Sequence, residues 1–104
     1  MTDIVIVLTT VPDDDRAEEL ARQLVDEALA ACVNVHAPMV SVYRWKGGVE
    51  RDSERQIVIK TTRGRLTAIE TRLLALHPYE LPEFVVIDAS AGAAYDRWVK
   101  DATA

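Results

Sequence analysis

Cysteine is the scarcest chemistry in this chain of 104 residues: Cys32 stands alone, so no internal disulfide can form and no Cys-rich zinc site can assemble. A reducing compartment, the cytoplasm, is the natural setting for such a chain. Cations are short as well, twelve Lys and Arg against seventeen Asp and Glu. The resulting charge of -5 opposes phosphate backbones and anionic lipid, which argues against a nucleic-acid partner and against a membrane partner. No apolar run approaches the roughly 18 residues of a membrane span. The start, Met1-Thr2-Asp3 before Ile4–Leu8, has neither a basic segment nor a cleavage site, so no targeting signal is expected. Two separate cores would each be too small at this length, so residues 1–104 are read as one domain.

Motifs are missing too. There is no Gly-rich phosphate loop, no HExxH and no nucleophile elbow. Asp13-Asp14-Asp15 after the first apolar run would repel a phosphate. The central strand segments Ile4–Leu8 and Gln56–Thr62 carry no aromatics on which bases could stack.

What remains is a pattern of periods. Ile4–Leu8 is short and β-branched, the profile of a strand buried on both faces. Leu20, Ala21, Leu24, Val25, Ala28 and Leu29 recur by three and four, predicting a helix of about four turns that one of the three aspartates would start. From Cys32 to Trp45 the period drops to two, with Pro38 confined to a bulge or an edge. Lys46-Gly47-Gly48 predicts a hairpin turn, and Val49–Thr62 a returning strand, charged at first and apolar later. Leu66, Ile69, Leu73 and Leu76 mark a second helix that must stop at His77, ahead of Pro78. Phe84–Ile87 reads as a last buried strand, and Ala94–Lys100 as a short terminal helix.

The order β-α-β-β-α-β plus a tail is α+β and ferredoxin-like. Its central hairpin is overlong: arms of about 13 residues reach ~40 Å. A core of this size cannot cover them, and open edges call for pairing, so another subunit is expected there.

The segment His77-Pro78-Tyr79-Glu80-Leu81-Pro82-Glu83 holds an imidazole, a phenol and carboxylates between two stiffening prolines. It reads either as a ligand pocket or metal site, or as a rigid connector in which His77 caps the helix. Cys32 suits a small buried hydrophobe, and Lys60 either a solvated face or an anion contact.

These residues carry a resemblance. Ala30–Asn34, Tyr43-Arg44-Trp45-Lys46-Gly47, Ile59-Lys60-Thr61 and His77–Glu83, in this order and spacing, resemble the CutA divalent-cation-tolerance family. Thr10-Val11-Pro12-Asp13 and Tyr95-Asp96-Arg97-Trp98 fit as well. The resemblance implies a ferredoxin-like subunit in a homotrimer built around the hairpins, similar in architecture to PII signalling proteins. It also implies copper or another divalent cation as ligand, and no organic cofactor. Some members use a cysteine at the end of the first strand and a histidine pair before the Pro-Tyr motif. Here Thr9 and Leu76 occupy two of those places, so His77 and Cys32, with Glu80, are the remaining metal candidates and weak binding is expected.

Three readings follow, in order. The first is a non-enzymatic metal-tolerance trimer. The second is a PII-like anion or metabolite sensor, its inter-subunit cleft lined by Trp45, Lys60, His77, Tyr79 and Glu80. The third is a small enzyme with His77 or Glu80 as acid–base and Cys32 as nucleophile.

Overall fold

The computed structural model describes residues 3–104; Met1 and Thr2, and the N-terminal reading that includes them, lie outside the described residues. The elements are β1 (Ile4–Pro12), α1 (Arg16–Asp26), β2 (Cys32–Val35), β3 (Met39–Trp45), β4 (Gly48–Thr62), α2 (Leu66–Leu76), β5 (Val85–Asp88) and α3 (Ala93–Ala102). All pairings are antiparallel, in the order β2-β4-β1-β5, with β3 extending β2 along the same edge of β4. This is the expected α+β ferredoxin-like arrangement, with its long hairpin and terminal helix.

Strand alternation sorts the sheet into two faces. Val5, Val7, Thr9 and Val11 of β1 and Ile57, Ile59 and Thr61 of β4 are buried, and the core places Leu20 and Leu24 of α1 and Ile69 and Leu73 of α2 against them. Each large aliphatic side chain enclosed there stabilises the fold by about 2 kcal/mol. On the other face Ile6, Leu8, Val58 and Lys60 stay half-buried, and Val99 of α3, packed with Ile4 and Ala31 and flanked by Ala89, Ala91 and Ala102, closes one end. Within Ile4–Leu8 the helix-covered face is therefore fully buried, and on the other face only Ile4 is. The β5 strand departs further from expectation: all four of its residues are exposed, because it lies on the sheet edge.

The long arm is broken where Pro38 demands it. Val35 pairs with Ile57 and Met39 with Glu54, so four steps on one strand meet three on the other. One residue is extra, a bulge at His36–Pro38. Beyond it the hairpin runs on to Lys46-Gly47, a two-residue turn with φ of 49° and 82°, the left-handed geometry that two-residue hairpins favour. The hairpin draws the chain out to 45 × 25 × 24 Å.

The first helix is shorter than its periodicity suggests, 11 residues instead of about four turns. Ala28 takes φ 56°, a left-handed residue that ends the helix, and the Leu29 and Ala30 amides then bond back to the Leu24 carbonyl. The alanines of Ala28–Ala31 thus form the link to β2. At the other end the Asp14 carboxylate accepts from the Arg16 amide at 3.0 Å.

Candidate functional site

The Pro-bracketed segment leaves α2 at His77 and crosses β1 beyond the end of β5. β5 pairs with β1 only from Val5 to Leu8, so past Leu8 that edge has no strand partner among the described residues. His77 supplies one. Its Nε2 lies 2.7 Å from the Thr10 carbonyl and 3.5 Å from Thr9 Oγ1, while the Tyr79 amide donates to Nδ1 at 3.1 Å. A carbonyl only accepts and an amide N–H only donates, so the ring is the neutral tautomer with its proton on Nε2. Burial holds the His77 pKa below its ordinary value, and the bond to the Thr10 carbonyl only partly opposes that.

Tyr79 stacks at a tilt on His77, 4.8 Å between ring centres, and its hydroxyl donates to Glu54 Oε2 at 2.5 Å. Burial first, and the Glu54 carboxylate second, push the phenol pKa well above 10. A parallel pair sits farther along the hairpin. The Tyr43 hydroxyl donates to Asp52, which pushes its pKa up to about 12. Glu83 and the Thr9 carbonyl both accept from the Gln56 amide, at 3.4 and 2.7 Å, fastening the far end of the segment to β4.

Between this segment and the hairpin, from Glu54 at its base to Trp45 beside its turn, lies a cleft of about 750 Å³, lined by Thr10, Ser41, Tyr43, Arg44, Trp45, Glu54 and Pro78–Val85. It unites three of the residues singled out in the sequence, Trp45, Tyr79 and Glu80. His77 is not in its lining but pins Tyr79 from behind. Lys60 is elsewhere: it pairs with Ile6 and Cys32 on the open sheet face, whereas Glu54 pairs with Pro12 and Met39, six residues along β4. Glu80 is exposed, and its ammonium partner is Lys46 at 3.3 Å, not Lys60. Within the single chain Lys60 does not line this cleft.

The metal candidates do not converge either. Cys32 is half-buried, its Sγ 4.0 Å from Asn34 Oδ1, and the sheet register sets it four β1 residues from Thr10, roughly 13 Å along the strand. Both His77 nitrogens are already bonded. Among the described residues no group of three or more His, Cys, Asp or Glu side chains is placed to hold a metal ion. His36 is exposed at the bulge, its amide donating to the Gln56 carbonyl at 3.0 Å.

Glu54 is what sequence reasoning missed. It was hidden in a charged stretch, Glu50-Arg51-Asp52-Ser53-Glu54-Arg55, whose alternation was nevertheless a usable signal. In a strand, alternation in sequence is separation in space: the acids share one face with Tyr43, and Arg51 and Arg55 take the other.

Comparison with known proteins agrees with this architecture. The chain is 40% identical over 99 residues to a divalent-cation tolerance protein CutA of Thermus thermophilus, covering 94% of this chain and 96% of that protein. It is 37% identical to a chloroplastic CutA of Arabidopsis thaliana, of which it spans 55%. The crystal structure of CutA from Xylella fastidiosa superposes with a TM-score of 0.93 at 41% identity, covering 99% of this chain and all of that one. Residues 5–102 match the family described as CutA1 divalent ion tolerance protein, and the chain belongs to that family.

Proposed function

We propose that this chain is a non-enzymatic, cytoplasmic homotrimer of divalent-cation tolerance that binds copper and similar ions weakly. The observation that carries the weak binding is His77: both ring nitrogens are spent on the backbone of Thr10 and Tyr79. A metal could take that imidazole only by breaking one of these bonds, and tight copper binding needs several soft or imidazole ligands acting together. The same bonds argue against acid–base work by His77. For Cys32, the thiol donates to the Asn34 amide oxygen and not to a base.

Assembly is supported by what the hairpin leaves bare. Val40, Val42 and Val49 are 55%, 66% and 66% exposed and lie on one face, the continuation of the buried core face beyond the reach of the helices. Apolar strand surface of this kind is ordinarily covered by a partner. Copper titration against a competing chelator tests the metal reading: micromolar or weaker binding is expected, and sub-nanomolar affinity would overturn it. Sedimentation equilibrium tests the assembly, with three subunit masses expected and one subunit mass refuting it.

A further inference from the structure

Glu54 is an acidic side chain with no ion-pair partner among the described residues. It is 6% exposed, lines the cleft, and among the described residues its hydrogen-bond partner is the neutral Tyr79 hydroxyl. Among the described residues no ion pair with, and no hydrogen bond from, a Lys or Arg engages it. Burying a carboxylate is costly unless a cation meets it. The cleft around it is built from rings: Tyr43, Trp45, Tyr79 and Phe84 line it. Its other carboxylates are Glu80 and Glu83, set against the single guanidinium of Arg44, with Lys46 answering Glu80 from outside the lining.

We propose that this cleft binds a primary ammonium carried on a compact apolar body. The ammonium donates to Glu54, with the hydroxyls of Thr10 and Ser41 among the lining groups available as further acceptors. The apolar body lies against the rings, which also attract a cation through their faces. A volume of about 750 Å³ is within the range of small-molecule sites. The signs exclude the alternatives on the same ground. An anion would be repelled by Glu54, and Lys60, the residue that favoured an anionic ligand, lies outside the cleft. A hard divalent ion needs several oxygen ligands converging, and no such group exists among the described residues. The proposal stands apart from the weak-metal reading, which concerns His77 and Cys32.

The test is calorimetry on the full chain in its assembled state with three probes of nearly equal shape: benzylamine, benzyl alcohol and benzoate. Benzylamine should bind about tenfold or more tightly than the alcohol, and benzoate more weakly than either. Glu54→Gln keeps an acceptor for Tyr79 and should erase the preference for amine over alcohol. Glu80→Gln, solvent-exposed, should change benzylamine affinity by less than about twofold. If Glu54→Gln does not fold, Trp45→Leu should weaken the amine more than the alcohol. Equal binding of amine and alcohol, no binding of benzylamine by the wild type, or an unchanged preference in Glu54→Gln would each overturn the proposal. So would stoichiometric binding of Mn²⁺ alone that Glu54→Gln abolishes, which would make the cleft a metal site. A second copy's side chain seated on Glu54 would show as an absent amine signal with a lower assembled mass in Glu54→Gln, and would equally refute it.

Discussion

Replacing His77 by alanine severs the joint between the Pro-bracketed segment and β1. Two hydrogen bonds go, to the Thr10 carbonyl and from the Tyr79 amide, each contributing about 1 kcal/mol. The tilted contact with the Tyr79 ring goes too, about 1 kcal/mol more. The expected loss is therefore about 3 kcal/mol, a large share of the total for a domain of this size. A pH signature accompanies it. The folded-state pKa of His77 is lowered from 6.5, chiefly by burial, so between that lowered value and 6.5 the unfolded chain holds a proton that the folded chain does not. Stability must then rise with pH across this window and fall as the pH drops below 6.5. Below the folded-state value both forms are protonated and the loss is complete. Glu54 favours the imidazolium and Arg16 opposes it, but both are smaller influences than burial and the Thr10 carbonyl. Geometry gives the same sign, since a proton on Nδ1 would face the Tyr79 N–H. Urea denaturation at fixed protein concentration, at about pH 7.5 and about pH 5.5, measures both effects. His77→Ala should lose stability at the higher pH and show a shallower fall toward the lower one. A loss under about 0.5 kcal/mol, or an unchanged pH dependence, would refute the argument that this ring is a neutral structural pin.

Three other outcomes can be checked on the same preparations. Tyr79→Phe removes the only hydrogen-bond donor to Glu54 among the described residues and should cost about 1–2 kcal/mol in urea denaturation, leaving the carboxylate buried without a donor. Ala28→Gly should stabilise by about 0.5–1 kcal/mol, because Ala28 sits at φ 56° where a Cβ is strained; a lower midpoint would contradict the helix-ending role assigned to it. Val40→Lys with Val42→Lys should leave the subunit's circular dichroism unchanged and lower the assembled mass in sedimentation, since both side chains are exposed in the subunit and Val42 pairs with Arg51.

The parts of the fold that local chemistry decides were legible in the sequence. Pro38 announced its bulge, Lys46-Gly47 its turn, and Pro78 the end of α2 at His77, because each acts through its own backbone geometry. Ala28 shows the limit of that logic. Its methyl fits a helical period as well as any, and nothing local says that it will turn left-handed instead. β5 shows another limit: Val85, Val86 and Ile87 have the composition of a buried strand, but composition cannot say that the strand will lie exposed at the sheet edge. For the cleft, the deciding quantity is register. Lys60 and Glu54 lie on one strand and share a face, so both were eligible to meet Tyr79, and only the pairing of Pro12 with Glu54 puts the carboxylate there and leaves the lysine beside Cys32. A shift of six residues along β4 changes the sign of the charge under Tyr79 and with it the class of ligand the cleft can hold. That sign was half-written in the sequence: Glu50, Asp52 and Glu54, interleaved with Arg51 and Arg55, must segregate by face in any strand, so whichever face closed on the aromatic segment would be wholly acidic or largely basic.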